Sequence, residues 1–118
     1  MSYSDKIKEI LDGNEVALFM KGTPEAIMCG NSERALGALR RVGAPIAAVD
    51  VLPDMQIRED LSAMSGWPTI PQVFVKGELV GGADIVEELY ESGELRQRLD
   101  QALGEERDAT VRAAALTE

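Results

Sequence analysis

The chain has 118 residues, 45% of them hydrophobic and 28% charged, which suits one soluble domain with a single core. With 12 Lys and Arg against 21 Asp and Glu, its net charge is -9, which argues against nucleic acid or an anionic membrane as the main partner. Histidine is absent and there is one cysteine, so Cys-His and Ser-His catalysis, a His-ligated zinc site and a disulfide within the chain are excluded.

No apolar run approaches the roughly 20 residues that span a bilayer. The start, Met1-Ser2-Tyr3-Ser4-Asp5-Lys6, lacks a basic segment followed by an apolar one. No signal peptide is therefore expected, and the cytoplasm is the default compartment.

The first predicted element is a helix, capped by Ser4 or Asp5, with Ile7, Ile10 and Leu11 on one face and Gly13 at its end. Val16 to Met20 reads as a buried strand. A loop carrying Cys29 follows, then a helix with Ala35, Leu36 and Leu39 inward, closed by Gly43 before Pro45. Ile46 to Val49 is a second strand. Pro53 and Asp54 start a third helix whose inward stripe is Ile57, Leu61 and Met64, and Gly66 stops it. The segment Trp67-Pro68-Thr69-Ile70-Pro71 is too rich in proline for a helix. Gln72 to Val75 and Glu78 to Val80 pair as a hairpin across Lys76-Gly77. Asp84 caps a helix with Ile85, Val86 and Leu89, and Leu95, Leu99 and Leu103 mark a last one. The folded domain is expected to cover residues 1–104, and residues 105–118 form a charged, alanine-rich tail, frayed or weakly helical.

Two strands joined across a helix suggest a parallel βαβ unit, and the later hairpin adds antiparallel strands. The expected fold is α/β, a mixed four-stranded sheet flanked by helices, which is the thioredoxin-like arrangement. Cys29 falls at its first strand-to-helix junction. The unpaired N–H groups and the dipole of a helix N-terminus favour a thiolate there.

Three further features stand near it in the pattern. Pro71, just before a strand, marks a cis bond or rigid turn that leaves the Ile70 backbone open to a peptide ligand, or else an ordinary edge proline. Gly81-Gly82-Ala83-Asp84 permits close backbone approach and offers a helix N-terminus to a carboxylate. Asp84 can cap that helix, bind a ligand amine, or do both. Lys21 and Arg58 are cations suited to a carboxylate.

Lys21-Gly22-Thr23-Pro24-Glu25, Met28-Cys29-Gly30, Trp67 to Gln72, Val75 to Gly82 and Asp84-Ile85-Val86 occur in the order and spacing of the monothiol glutaredoxins, which the chain closely resembles from about residue 4 to 103. The resemblance implies a glutathione site. Lys21 and Arg58 would hold the glycine carboxylate, the Ile70 backbone before cis-Pro71 the cysteinyl unit, and Gly82, Ala83 and Asp84 the γ-glutamyl end.

It also implies a 2Fe-2S cluster shared by a homodimer, with Cys29 of each copy and two glutathione thiols as its four ligands. Iron-sulfur acceptor or assembly proteins are the implied partners. The alternative is a glutathione-dependent thiol oxidoreductase that removes glutathione from mixed disulfides through Cys29 and holds no stable cluster. Any such enzyme activity is expected to be weak. Ser32 stands where a dithiol glutaredoxin has its second cysteine.

One motif departs from the pattern. The family signature Cys-Gly-Phe-Ser is Cys29-Gly30-Asn31-Ser32 here, and Ile27 stands where proline is frequent. Asn31 either removes apolar cover beside the thiolate or donates a hydrogen bond to sulfur.

Overall fold

The computed structural model describes residues 2–116. Its centre is strand β1 (Val16–Met20), whose five residues are all buried. Alternate side chains of a strand point to opposite faces, and both faces of β1 are covered. Val16, Leu18 and Met20 meet Leu36 and Leu39 of helix α2 (Gly30–Val42). Ala17 and Phe19 meet Ile7 of α1 (Tyr3–Gly13) and Ile57 and Leu61 of α3 (Met55–Ser65). Burial on both sides explains why β1 reads as a continuous apolar run rather than an alternating one.

Strand β4 (Ile46–Asp50) lies parallel to β1, in register from Val16↔Ile46 to Met20↔Asp50. On the other side β5 (Gln72–Val75) pairs antiparallel with β1, and β6 (Glu78–Gly81) antiparallel with β5. Helices α4 (Ala83–Ser92) and α5 (Glu94–Leu103) pack with α2, through Val86, Leu95 and Leu99. A short ribbon, β2 (Gly22–Thr23) with β3 (Ala26–Ile27), stands apart from the main sheet in the loop before Cys29. No helix among the described residues is long and apolar enough to cross a membrane.

Four local expectations are corrected. The cap of α1 is Ser2, whose Oγ accepts from the Asp5 N–H at 3.3 Å, rather than Ser4 or Asp5. Met64 is 43% exposed, so the inward stripe of α3 is Ile57 and Leu61 alone. Gly82, not Asp84, caps α4, its carbonyl accepting from the Val86 N–H at 3.0 Å. The described part of the tail, residues 105–116, forms no helix. Val111–Ala113 is a fifth main-sheet strand, β7, parallel to β4, giving the order β6-β5-β1-β4-β7. The last two residues of the tail, 117 and 118, lie outside the described residues.

Arg107 explains how the tail reaches the sheet edge. Its side chain is 6% exposed and pairs with Asp100 at 2.6 Å. Its guanidinium also donates to the carbonyls of Val42 at 2.9 Å and Gly43 at 2.8 Å, two of the orphan acceptors at the end of α2. Lys6 Nζ donates to the Leu116 carbonyl at 3.0 Å, and Leu116 is buried. Arg107→Ala is expected to cost about 2 kcal/mol in urea denaturation and to speed amide exchange at Ile46 and Ala114, which bond to and across β7. Unchanged stability and exchange would mean that the tail is held by its backbone pairing alone.

Candidate functional site

Cys29 is the residue before α2, in extended conformation at φ -156 and ψ 129. Its carbonyl accepts from the Glu33 N–H at 3.0 Å, the first bond of the helix. The side chain makes no capping hydrogen bond, so the N–H groups of the first turn are not taken up by it. The thiol is partly exposed. Its pKa lies below the ordinary value, chiefly through the Ser32 N–H, with help from the Asn31 N–H, the Ser32 hydroxyl and the Lys21 charge, while partial burial opposes them.

Several bonds fix this junction. Ser32 is fully buried, and its Oγ accepts from the Lys21 N–H at 3.1 Å, which ties the end of β1 to α2. The Lys21 carbonyl accepts from the Met28 N–H at 2.9 Å, closing the β2–β3 ribbon. Asp50 Oδ1 takes the N–H groups of Gly22 and Leu52, each at 2.9 Å. Gly22 is at φ 94, and a Cβ there would collide with the Ala26 carbonyl, so no other residue fits the turn.

Beside the junction is a groove of about 190 Å³, lined by Asn31, Trp67, Thr69, Ile70, Pro71 and the segment 82–85. The structure therefore brings together Ile70, Pro71, Gly82, Ala83 and Asp84 from the sequence-predicted set. The Ile70–Pro71 bond is cis. Among the described residues no backbone hydrogen bond engages Ile70, so its peptide groups are open. A Cβ on Gly82 would stand 3.1 Å from Trp67 Nε1 and 3.3 Å from the Pro71 carbonyl, which explains why glycine forms this wall. Trp67 Nε1 is buried there without a hydrogen-bond partner among the described residues.

Neither Lys21 nor Arg58 lines this groove, and the Lys21 charge favours the Cys29 thiolate. Arg58, half-buried on α3, makes no hydrogen bond or ion pair among the described residues, so neither cation is consumed internally. A larger hollow of about 330 Å³, between the β5–β6 hairpin and α5, contains none of the sequence-predicted residues.

Three features escaped the sequence. Gln72 is fully buried and its Nε2 donates to the carbonyls of Trp67 at 2.9 Å and Thr69 at 3.2 Å, shaping the segment that precedes cis-Pro71. Asp84 is 84% exposed and ion-paired with Arg34 at 2.9 Å. Arg34 also binds Glu87, at 2.8 Å. Gln72 lies in a motif segment and was findable as a buried polar residue. Arg34 and its partners are 50 and 53 residues apart, and no local pattern signals them.

The Glutaredoxin family model matches residues 16–80. A protein of Synechocystis sp. described as an uncharacterized monothiol glutaredoxin, ycf64-like, is 46% identical over 98 residues, which make up 83% of this chain and 92% of that protein. The chain belongs to the monothiol glutaredoxins. Monothiol glutaredoxin-S11 of Oryza sativa is 45% identical over 100 residues, 85% of this glutaredoxin but only 20% of the length of that relative. The solution structure of a monomeric truncated mutant of Trypanosoma brucei 1-C-Grx1 superposes with a TM-score of 0.77 at 40% identity, over 86% of this chain and 91% of that one. The thioredoxin-like fold and a glutathione-related thiol redox role follow from this membership.

Alkylation of the glutaredoxin by iodoacetamide, followed against pH, is expected to show a midpoint below the ordinary thiol value of about 8.5. Lys21→Ala moves that midpoint upward, because it removes a cation that favours the thiolate. A wild-type midpoint at or above the ordinary value would contradict the role of the α2 N-terminus.

Proposed function

We propose that this glutaredoxin binds glutathione in the groove beside Cys29 and, as a dimer, carries a 2Fe-2S cluster between its two copies for storage and transfer. The observation that carries this is one partly exposed thiol of lowered pKa, two residues from Asn31 on the wall of the groove. Glutathione has two carboxylates and one amine. Lys21 and Arg58 would take the glycine carboxylate, the open Ile70 backbone the cysteinyl unit, and Gly82, Ala83 and Asp84 the γ-glutamyl end. The glutathione sulfur then lies toward Cys29.

The donor set fits a shared cluster rather than one held by a single chain. Among the described residues no three His, Cys, Asp or Glu side chains gather as a metal nest. One Cys29 thiolate and one glutathione thiolate per copy supply the four ligands such a cluster takes. Half of those ligands are diffusible, so the cargo is readily released to an acceptor or assembly protein.

A second reading is favoured by Asn31, whose side-chain oxygen is bound to Arg34 and which gives the sulfur no apolar cover. In that reading the Cys29 thiolate attacks the glutathionyl sulfur of a mixed disulfide and displaces the protein thiolate. A second glutathione thiolate then attacks Cys29–S–SG, releases oxidised glutathione and restores the Cys29 thiolate.

Cys29→Ser is expected to abolish both cluster assembly and thiol exchange while leaving the far-ultraviolet circular dichroism unchanged. Assembly of a cluster at normal yield in that variant would refute the ligand assignment. Lys21→Ala and Arg58→Ala are each expected to weaken glutathione binding about tenfold by isothermal titration, the loss of one charge-assisted contact. Unchanged affinity in both would sink the placement of the glycine carboxylate.

A further inference from the structure

Two residues unused by the function above, Arg34 and Glu87, meet two that line the groove, Asn31 and Asp84. Glu87 on α4 grips the Arg34 guanidinium of α2 at two points. Nε donates to Oε2 at 3.2 Å and Nη2 to Oε1 at 2.8 Å. A two-point contact fixes the plane of the guanidinium fork. From that plane Nη1 donates to Asn31 Oδ1 at 3.0 Å, and Nη2 to Asp84 Oδ1 at 2.9 Å. Of the four side chains, only Asn31 and Asp84 line the groove.

Chemistry then dictates what the rim presents. A guanidinium has five N–H donors and no acceptor. The Asn31 amide must therefore turn its oxygen toward Arg34, and its NH2 is the end left for a ligand. Asp84 has one oxygen engaged and keeps Oδ2 as an acceptor. A donor and an anionic acceptor are thus held by one guanidinium on one rim. That pair complements the head of an α-amino acid, the amide NH2 meeting its carboxylate and the Asp84 carboxylate meeting its ammonium. The Arg34 side chain is 38% exposed and that of Glu87 32%, so solvent screens the ion pairs and their contribution is to orientation more than to stability.

We propose that Asn31 recognises the α-carboxylate of a γ-glutamyl head, and that Arg34 and Glu87 are positioning residues that hold Asn31 and Asp84 in register for it. This rests on the glutathione site proposed above and assigns a role to the residue that departs from the Cys-Gly-Phe-Ser signature. Replacing Arg34 by lysine keeps a charge but loses the planar fork that reaches three side chains at once.

The test is isothermal titration of the full chain with glutathione and with γ-aminobutyryl-cysteinylglycine, which lacks only the α-carboxylate. Wild type is expected to prefer glutathione by about tenfold. Asn31→Ala is expected to weaken glutathione binding by about threefold or more and to leave the analogue unaffected, narrowing the preference. Arg34→Gln and Arg34→Lys weaken glutathione more than the analogue, which loses only the hold on Asp84. If Asn31→Ala weakens both ligands alike or leaves glutathione affinity unchanged, or if the Arg34 variants keep the wild-type preference, the proposal is overturned while the glutathione site stands. If wild type binds no glutathione, the site itself is refuted, and this proposal with it.

Discussion

The hydrogen bond from the Lys21 N–H to Ser32 Oγ is the joint on which the site depends. It fastens the first residue beyond β1 to the first turn of α2, inside the protein, where Ser32 is fully buried. With that turn fixed, the Asn31 and Ser32 N–H groups are held where they favour the Cys29 thiolate. The depressed thiol pKa then follows from backbone geometry. β1 in turn is rigid because apolar side chains cover both of its faces. The surroundings of one sulfur are therefore a consequence of core packing two elements away.

The groove is built on the same logic by another part of the chain. Gln72 starts β5, is buried, and spends its amide on the carbonyls of Trp67 and Thr69. Those bonds hold the segment leading to cis-Pro71 against the end of the sheet, with the Ile70 backbone open. Gly82 supplies the opposite wall because any Cβ would press on the Trp67 indole and the Pro71 carbonyl. Backbone polarity, rather than a cluster of catalytic side chains, thus characterises both the thiol pocket and the groove. This suits a chain with no histidine and one cysteine.

Much of this was legible in the sequence because its causes are local. Val16 to Met20 betrays double-sided burial, Gly43 and Gly66 betray left-handed caps, and a single cysteine at a strand-to-helix junction betrays the thiol site. Pro71 carried its cis bond in its position before a strand, though an edge proline reads the same way. The illegible features have nonlocal causes. Val111–Ala113 is too short, and the residues after it too alanine-rich, to announce a strand, and its attachment depends on Arg107 reaching the end of a helix 64 residues earlier. Asp84 looked like a helix cap because aspartate at such a position commonly is one. Gly82 takes that place, and Asp84 turns to Arg34 instead.

The central claim is that each of two copies supplies one thiolate and that two glutathiones supply the other two ligands of the cluster. It is tested most directly by anaerobic reconstitution of the wild-type chain with iron and sulfide, with and without glutathione, followed by visible absorbance and solution mass. The account predicts a coloured species of twice the mass of one chain that forms only when glutathione is present. A colourless monomer in the presence of glutathione, or a coloured species that forms equally well without it, would contradict the account.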